Sequence, residues 1–185
     1  MQIYEFMRKS FLAIICVFLL SCKIDRDKTV DRSKYTFFIG DDAELFFRNV
    51  RQIYYDRSSP DGKWQAYRYG KRYQGTERPS INPVIVINRL KDEAYLLIEE
   101  NEPLTTEDFL QLRINSKKDT TIIDLKERGR ERMLEFGSQI YEAIQAKKSI
   151  YVLYKREYVP IFTDEPEQEA FRITMSDFYR LTRVF

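Results

Sequence analysis

Apolar positions along the chain fall into three patterns: one unbroken run near the start, short runs bounded by turn residues, and stretches at helical spacing. The unbroken run is Phe11-Leu12-Ala13-Ile14-Ile15-Cys16-Val17-Phe18-Leu19-Leu20. After it, Ala43, Phe46, Phe47 and Val50 recur at helical spacing behind an Asp41-x-x-Glu44 capping box, which predicts a short helix near 42–48. The stretch 41–57 as a whole reads as helix or strand. Residues 50–57 and 63–70 flank Ser58-Ser59-Pro60-Asp61-Gly62, whose Pro-Asp-Gly chemistry predicts a β-hairpin. Val84-Ile85-Val86-Ile87 has the continuous apolar character of a buried strand, with Ala94 to Ile98 as its antiparallel neighbour. Phe109 to Ile114 and Thr120 to Ile123 form a second hairpin around a five-residue loop.

Met133, Phe136, Ile140 and Ile144 mark the clearest helix, about 20 residues and ~30 Å long, opened by Asp124-x-x-Glu127. Lys147 and Lys148 in its last turn complement the helix dipole, whereas Gly129 and Gly137 each weaken it by about 1 kcal/mol against alanine. Ser149 to Tyr154 and Tyr158 to Phe162 resume as strands. Asp164-Glu165-Pro166-Glu167 reads as an acidic loop, Phe171 to Thr174 as a last strand, and Thr174-x-x-Asp177 as the cap of a final helix through Thr182. The sum is an α+β fold: a single domain with a mainly antiparallel β-sheet, one long helix packed on a face and a short C-terminal helix.

The initial run is a different kind of segment. Ten apolar residues make about 15 Å of helix, roughly half the hydrocarbon core of a bilayer. Arg8 and Lys9 precede it and Ser21-Cys22 follow, the layout of a secretory signal peptide. Leu19-Leu20-Ser21-Cys22 resembles the lipobox of bacterial lipoproteins, a resemblance confined to this leader. It departs from the usual pattern in the size of Leu20 and in the acidic Glu5. The resemblance implies that residues 1–21 are cleaved and that Cys22 becomes the acylated first residue. Residues 22–34, charged in both signs and without period, then form a flexible tether, and 35–185 the globular domain. The absence of Asp at position 23 favours, by the same resemblance, the outer membrane; the face of the membrane stays open.

Charge and composition narrow the chemistry. The 185 residues hold 31 basic and 29 acidic side chains and no histidine. Losing Glu5, Arg8 and Lys9 with the leader leaves 29 basic and 28 acidic, so anchoring falls to acyl chains rather than to charge, and nucleic acid is not an expected partner. Without histidine there is no Ser-His or Cys-His pair and no His-containing metal site. Cys16 leaves with the leader, so Cys22 has no intramolecular disulfide partner.

Two groups of residues carry candidate chemistry. Trp64, Tyr67, Arg68, Tyr69, Lys71, Arg72 and Tyr73 crowd the predicted hairpin, together with Tyr54 and Tyr55. Aromatic faces with arginine suit a ligand- or partner-binding surface. The same residues are also what strands ordinarily carry, one face in the core and cations guarding an edge. Glu99, Glu100 and Glu102, and Asp164, Glu165 and Glu167, are clustered carboxylates of the type that glycoside hydrolysis uses. Solvated loops have the same composition, and neither the spacing of a calcium loop nor a glycine-rich phosphate loop is present.

The expected function is therefore that of a lipid-anchored envelope protein without catalytic residues, metal or cofactor. It is held to the membrane through acylated Cys22 and binds a protein partner or an envelope component as an accessory subunit or immunity-type protein. The alternative is a His-free carbohydrate-binding or carbohydrate-active lipoprotein using the aromatic hairpin.

Overall fold

The computed structural model describes residues 30–59, 62–105, 109–116 and 119–185. The leader, Cys22 and the tether as far as residue 29 lie outside the described residues. So do Pro60 and Asp61 of the first hairpin loop and residues 117–118 of the second.

From Val30 the chain is tied to the domain. Arg32–Lys34 form one 3-10 turn N-capped by Asp31. Arg32 donates through Nη1 to Glu135 (2.6 Å) and through Nη2 to Glu142 (2.8 Å). The hydroxyl of Tyr35 donates to Ser138 Oγ at 2.5 Å, and that oxygen also meets the Tyr179 hydroxyl at 2.8 Å.

Helix α1 (Asp41–Phe46) has three acids in its first turn, where they complement the dipole. It continues through a π-helical turn at Phe47–Arg51 and a 3-10 turn at Gln52–Tyr54, which resolves the helix-or-strand ambiguity in favour of helix up to residue 54. Strands β1 (Tyr55–Ser58), β2 (Trp64–Tyr69), β3 (Ile81–Asn88) and β4 (Glu93–Glu100) follow as an antiparallel meander in sequence order. Strands β5 (Leu110–Asn115), β6 (Thr120–Leu125), β7 (Ser149–Tyr154) and β8 (Glu157–Ile161) form a second antiparallel sheet in the order β6-β5-β7-β8.

The connection from β6 to β7 is helix α2 (Arg130–Gln145), and the chain closes with α3 (Glu165–Leu181). α2 packs on β4 of the first sheet, on β6 and β7 of the second, and on α3; α3 lies against β3, β4 and the π turn. One apolar core runs through all of these contacts.

The domain is α+β, with every strand pairing antiparallel. Several boundaries differ from the sequence reading, each for a local reason. Asp124 does not open α2, because β6 keeps pairing with β5 through Leu125; the N-cap is Gly129, in extended conformation. Asp164-Glu165-Pro166-Glu167 is the first turn of α3 rather than a loop. Asp164 Oδ1 accepts from the Glu167 N–H at 2.9 Å, and Pro166 sits in the first turn, where a missing N–H costs nothing. With that cap in place the helix runs for 17 residues and absorbs 171–174, so that Phe171 and Thr174 share its buried face with Met175 and Phe178.

Candidate interaction surface

The pleat of β2 divides the aromatic and basic hairpin between two faces. Tyr67 and Tyr69 turn inward and are 1% and 8% exposed. The ring of Tyr67 meets Phe47 edge-on at 5.1 Å, and that of Tyr69 meets Tyr55 at 5.4 Å. Both belong to the core and present no free ring to a ligand. Trp64 and Arg68 turn outward. Lys71, Arg72 and Tyr73 lie beyond the strand: Lys71 is exposed, Arg72 pairs with Asp56 at 2.7 Å, and Tyr73 donates to Glu77 under the Arg78 guanidinium. The sequence cluster is therefore not one surface.

What surrounds Trp64 comes from elsewhere in the chain. Its ring stands 5.5 Å from Tyr95 of β4, and a hollow of about 390 Å³ opens among Trp64, Val86, Tyr95, Leu97, Arg128 and Arg130. Tyr95 and Leu97 were legible only as strand residues. Their alternation with the buried Ala94, Leu96 and Ile98 is the signal that puts them on the outer face. Arg68 closes the neighbouring ground, donating through Nε and Nη2 to the two oxygens of Glu99 at 2.8 and 2.5 Å.

The clustered carboxylates are largely committed. Glu99 holds Arg68, and Glu100 accepts from Arg128 at 2.8 Å. Asp164 caps α3 and pairs with Arg78. Glu167 is 3% exposed, taking a hydrogen bond from Ser80 at 2.9 Å and one from Arg78 at 3.0 Å.

A second set of exposed apolar side chains lies on the helical segment from the end of α1 to the start of β1. Leu45, Phe46, Val50, Ile53 and Tyr54 are all exposed, from 44% for Phe46 to 73% for Ile53. Phe46, Phe47 and Val50 recur at helical spacing in the sequence, and of the three only Phe47 is buried. Phe47 fixes the segment by packing against Tyr55 and Tyr67. Arg51 fixes it a second time, donating through Nε to both oxygens of Asp177 at 2.9 Å, with its guanidinium 5.0 Å from the Tyr54 ring. Tyr55 donates to the same carboxylate at 2.7 Å. Burial pushes the Asp177 carboxyl above its ordinary range, against the pull of Tyr55 and Arg51, and it holds the Tyr55 phenol neutral. The Leu45–Tyr54 stretch is thus a rigidly seated ridge with an apolar outer side. It has the composition of an interface core: large apolar and aromatic side chains with arginines at the margin.

Among the described residues no group of His, Cys, Asp and Glu is arranged to hold a metal ion, and no helix is long and apolar enough to cross a membrane. No protein-family model, curated protein or solved structure matches the chain.

Proposed function

We propose that this chain is a lipid-anchored cell-envelope protein of the outer membrane, held by acylated Cys22, whose folded domain binds a protein partner and catalyses no reaction. The observation that carries the partner-binding part is the ridge of five exposed large apolar side chains between Leu45 and Tyr54. Full burial of such a side chain contributes roughly 1.5–3 kcal/mol, and the part forgone by leaving these half or more exposed is what a partner's surface recovers. The near-balance of charge in the chain favours a protein partner over nucleic acid or a purely electrostatic membrane contact. The anchoring part rests on Leu19-Leu20-Ser21-Cys22 behind its basic head and short apolar run. An accessory subunit of an envelope assembly and an immunity-type protein both fit this reading.

The test is expression of the full-length chain in a bacterial host, extraction in mild detergent and identification of what co-purifies. Wild type should bring down a partner in near-equal amount, and Ile53→Glu should lose it while staying in the membrane fraction. Cys22→Ser should abolish attachment and leader processing. Recovery of the protein alone would remove the partner-binding reading. Unchanged attachment in Cys22→Ser would remove the anchoring one.

The hollow beside Trp64 favours one second reading, carbohydrate binding, since an indole and a phenol flanked by Arg128 and Arg130 suit a sugar ring. A glycan array answered by wild type and not by Trp64→Ala supports it; an array without hits removes it.

A further inference from the structure

At one end of the first sheet, Asn88 of β3 stands opposite both Trp64 of β2 and Glu93 of β4, and Phe38 is bridged to Glu93 in turn. Residues directly opposite each other in antiparallel pairs project from the same face. Phe38 and Trp64 therefore share the outer face, with Tyr95 and Leu97 of β4 behind them. Beyond this row the chain turns through Arg89, Leu90, Lys91 and Asp92. The turn is held by its own hydrogen bonds, from Leu90 N–H to Asn88 Oδ1 at 3.0 Å and from Lys91 N–H to the Asn88 carbonyl at 3.3 Å. Leu90 is nevertheless 73% exposed, Phe38 58% and Trp64 38%.

Cations are interleaved with these side chains. Arg89 and Lys91 flank Leu90, both exposed, and Arg89 donates to the neutral Gln65. The Arg89 N–H donates to the Lys63 carbonyl at 3.3 Å, which sets exposed Lys63 beside the same turn. Among the described residues the acids of this end are Asp92, exposed, and Glu93, which accepts from Tyr95 and stands 3.8 Å from Arg130. Lysines are depleted from the cores of protein interfaces. Exposed apolar and aromatic side chains alternating with lysine and arginine suit instead the layered polarity of a bilayer surface.

The route of the chain brings this end within reach of an anchor at Cys22. Eight peptide steps separate Cys22 from Val30, a span of at most ~28 Å. From Val30, which packs against the core, the chain follows α2 from Glu142, paired with Arg32, to Arg130, whose guanidinium lies 4.6 Å from the Phe37 ring centre. Those twelve helical residues cover ~18 Å, less than the tether spans, and the next residue is Phe38 itself.

We propose, on the reading of this chain as lipid-anchored, that Phe38, Trp64 and Leu90 dip into the headgroup boundary of the bilayer that holds the anchor, with Lys63, Arg89 and Lys91 at the level of its phosphates. Indole and aliphatic side chains favour that boundary, and the stems of lysine and arginine reach from it to phosphate oxygens. The contact fixes which side the domain turns to the membrane, which a tether alone leaves free.

Trp64 is the one tryptophan of the sequence, so its fluorescence reports on this end alone. The full-length protein is reconstituted into vesicles of phosphatidylcholine and phosphatidylglycerol, with and without lipid brominated on the acyl chain near the headgroup. Trp64 emission should shift to shorter wavelength than in detergent solution and be quenched by the brominated lipid. Leu90→Glu and Phe38→Ser, both at exposed positions, should each lose most of that quenching with the urea midpoint unchanged. Flotation with the vesicles reads the anchor separately. Protein that floats with Trp64 unquenched keeps its anchor and overturns the proposal, leaving this end to a protein or a glycan. Quenching that survives both substitutions overturns it as well. Protein that does not float overturns the anchored reading, and the membrane contact with it.

Discussion

Gly137 of α2 faces Leu96 of β4 so closely that a Cβ on the glycine would stand 2.6 Å from Leu96 Cδ2, with Met175 Sδ of α3 at 3.3 Å. The glycine is where helix, sheet and second helix meet, and Leu96 and Met175 are both fully buried. On propensity alone Gly137→Ala gains up to about 1 kcal/mol. Overpacking a closed core costs typically about 1–3 kcal/mol, and here the fully buried Leu96 side chain would have to shift. The variant is expected to be less stable than wild type, with a lower urea midpoint and an unchanged slope. A rise in midpoint would show that the three elements have slack.

Asp177 carries the second expectation. It is 3% exposed and accepts from Arg51 and Tyr55. Asp177→Asn leaves the partly buried guanidinium without its counter-charge, a loss of the order of 3 kcal/mol for a broken buried pair. Its pH signature runs opposite to that of an ordinary salt-bridged acid. Burial raises the folded-state value above 3.8, so over the window from there upward the folded chain holds the proton more firmly than the unfolded one. Stability from this group is therefore greatest below that window, declines as pH rises through it and is flat above it. Urea midpoints of wild type and Asp177→Asn across the acid range should differ by such a slope; parallel profiles would remove this account of the carboxyl.

Ile53, the most exposed residue of the Leu45–Tyr54 ridge at 73%, separates stability from binding. Ile53→Glu should leave the thermal midpoint nearly unchanged, since substitutions at such surface sites usually fall within about 0.5 kcal/mol. It should nevertheless abolish recovery of a partner. A large loss of stability would mean that the side chain packs within the domain.

Asp164 tests the start of α3. Asp164→Ala removes the acceptor for the Glu167 N–H and the ion pair with Arg78, and should cost about 1 kcal/mol. Asp164→Asn, which keeps the cap but not the charge, should recover most of that. Equal losses in both variants would assign the effect to the ion pair instead.

The legible part of this chain is the part governed by local spacing. Val84 to Ile87 are a strand because four consecutive apolar, β-branched residues suit a pleat buried on both sides. The spacing of Met133, Phe136, Ile140 and Ile144 defines one buried helix face before any partner is known. The antiparallel hairpins and the α+β class follow from such segments and the turns between them. The cap of α3 was legible too, in Asp164, Pro166 and Glu167, but a run of acids suggests solvent as readily as it suggests a first turn.

Tertiary structure decided what spacing cannot carry: which strands share a sheet, and which face of each looks outward. The division into two sheets depends on α2 filling the space between them, a contact among residues far apart in sequence. Phe46, Phe47 and Val50 are alike in hydrophobicity, and only the seating of Phe47 on Tyr55 and Tyr67 turns the other two to solvent. Trp64 meets Tyr95, and Arg113 meets Tyr151 and Tyr158, across strands whose register is set by hydrogen bonds between distant segments. Local periodicity says that a side chain has an inner or outer place; only the packed chain says what stands opposite it.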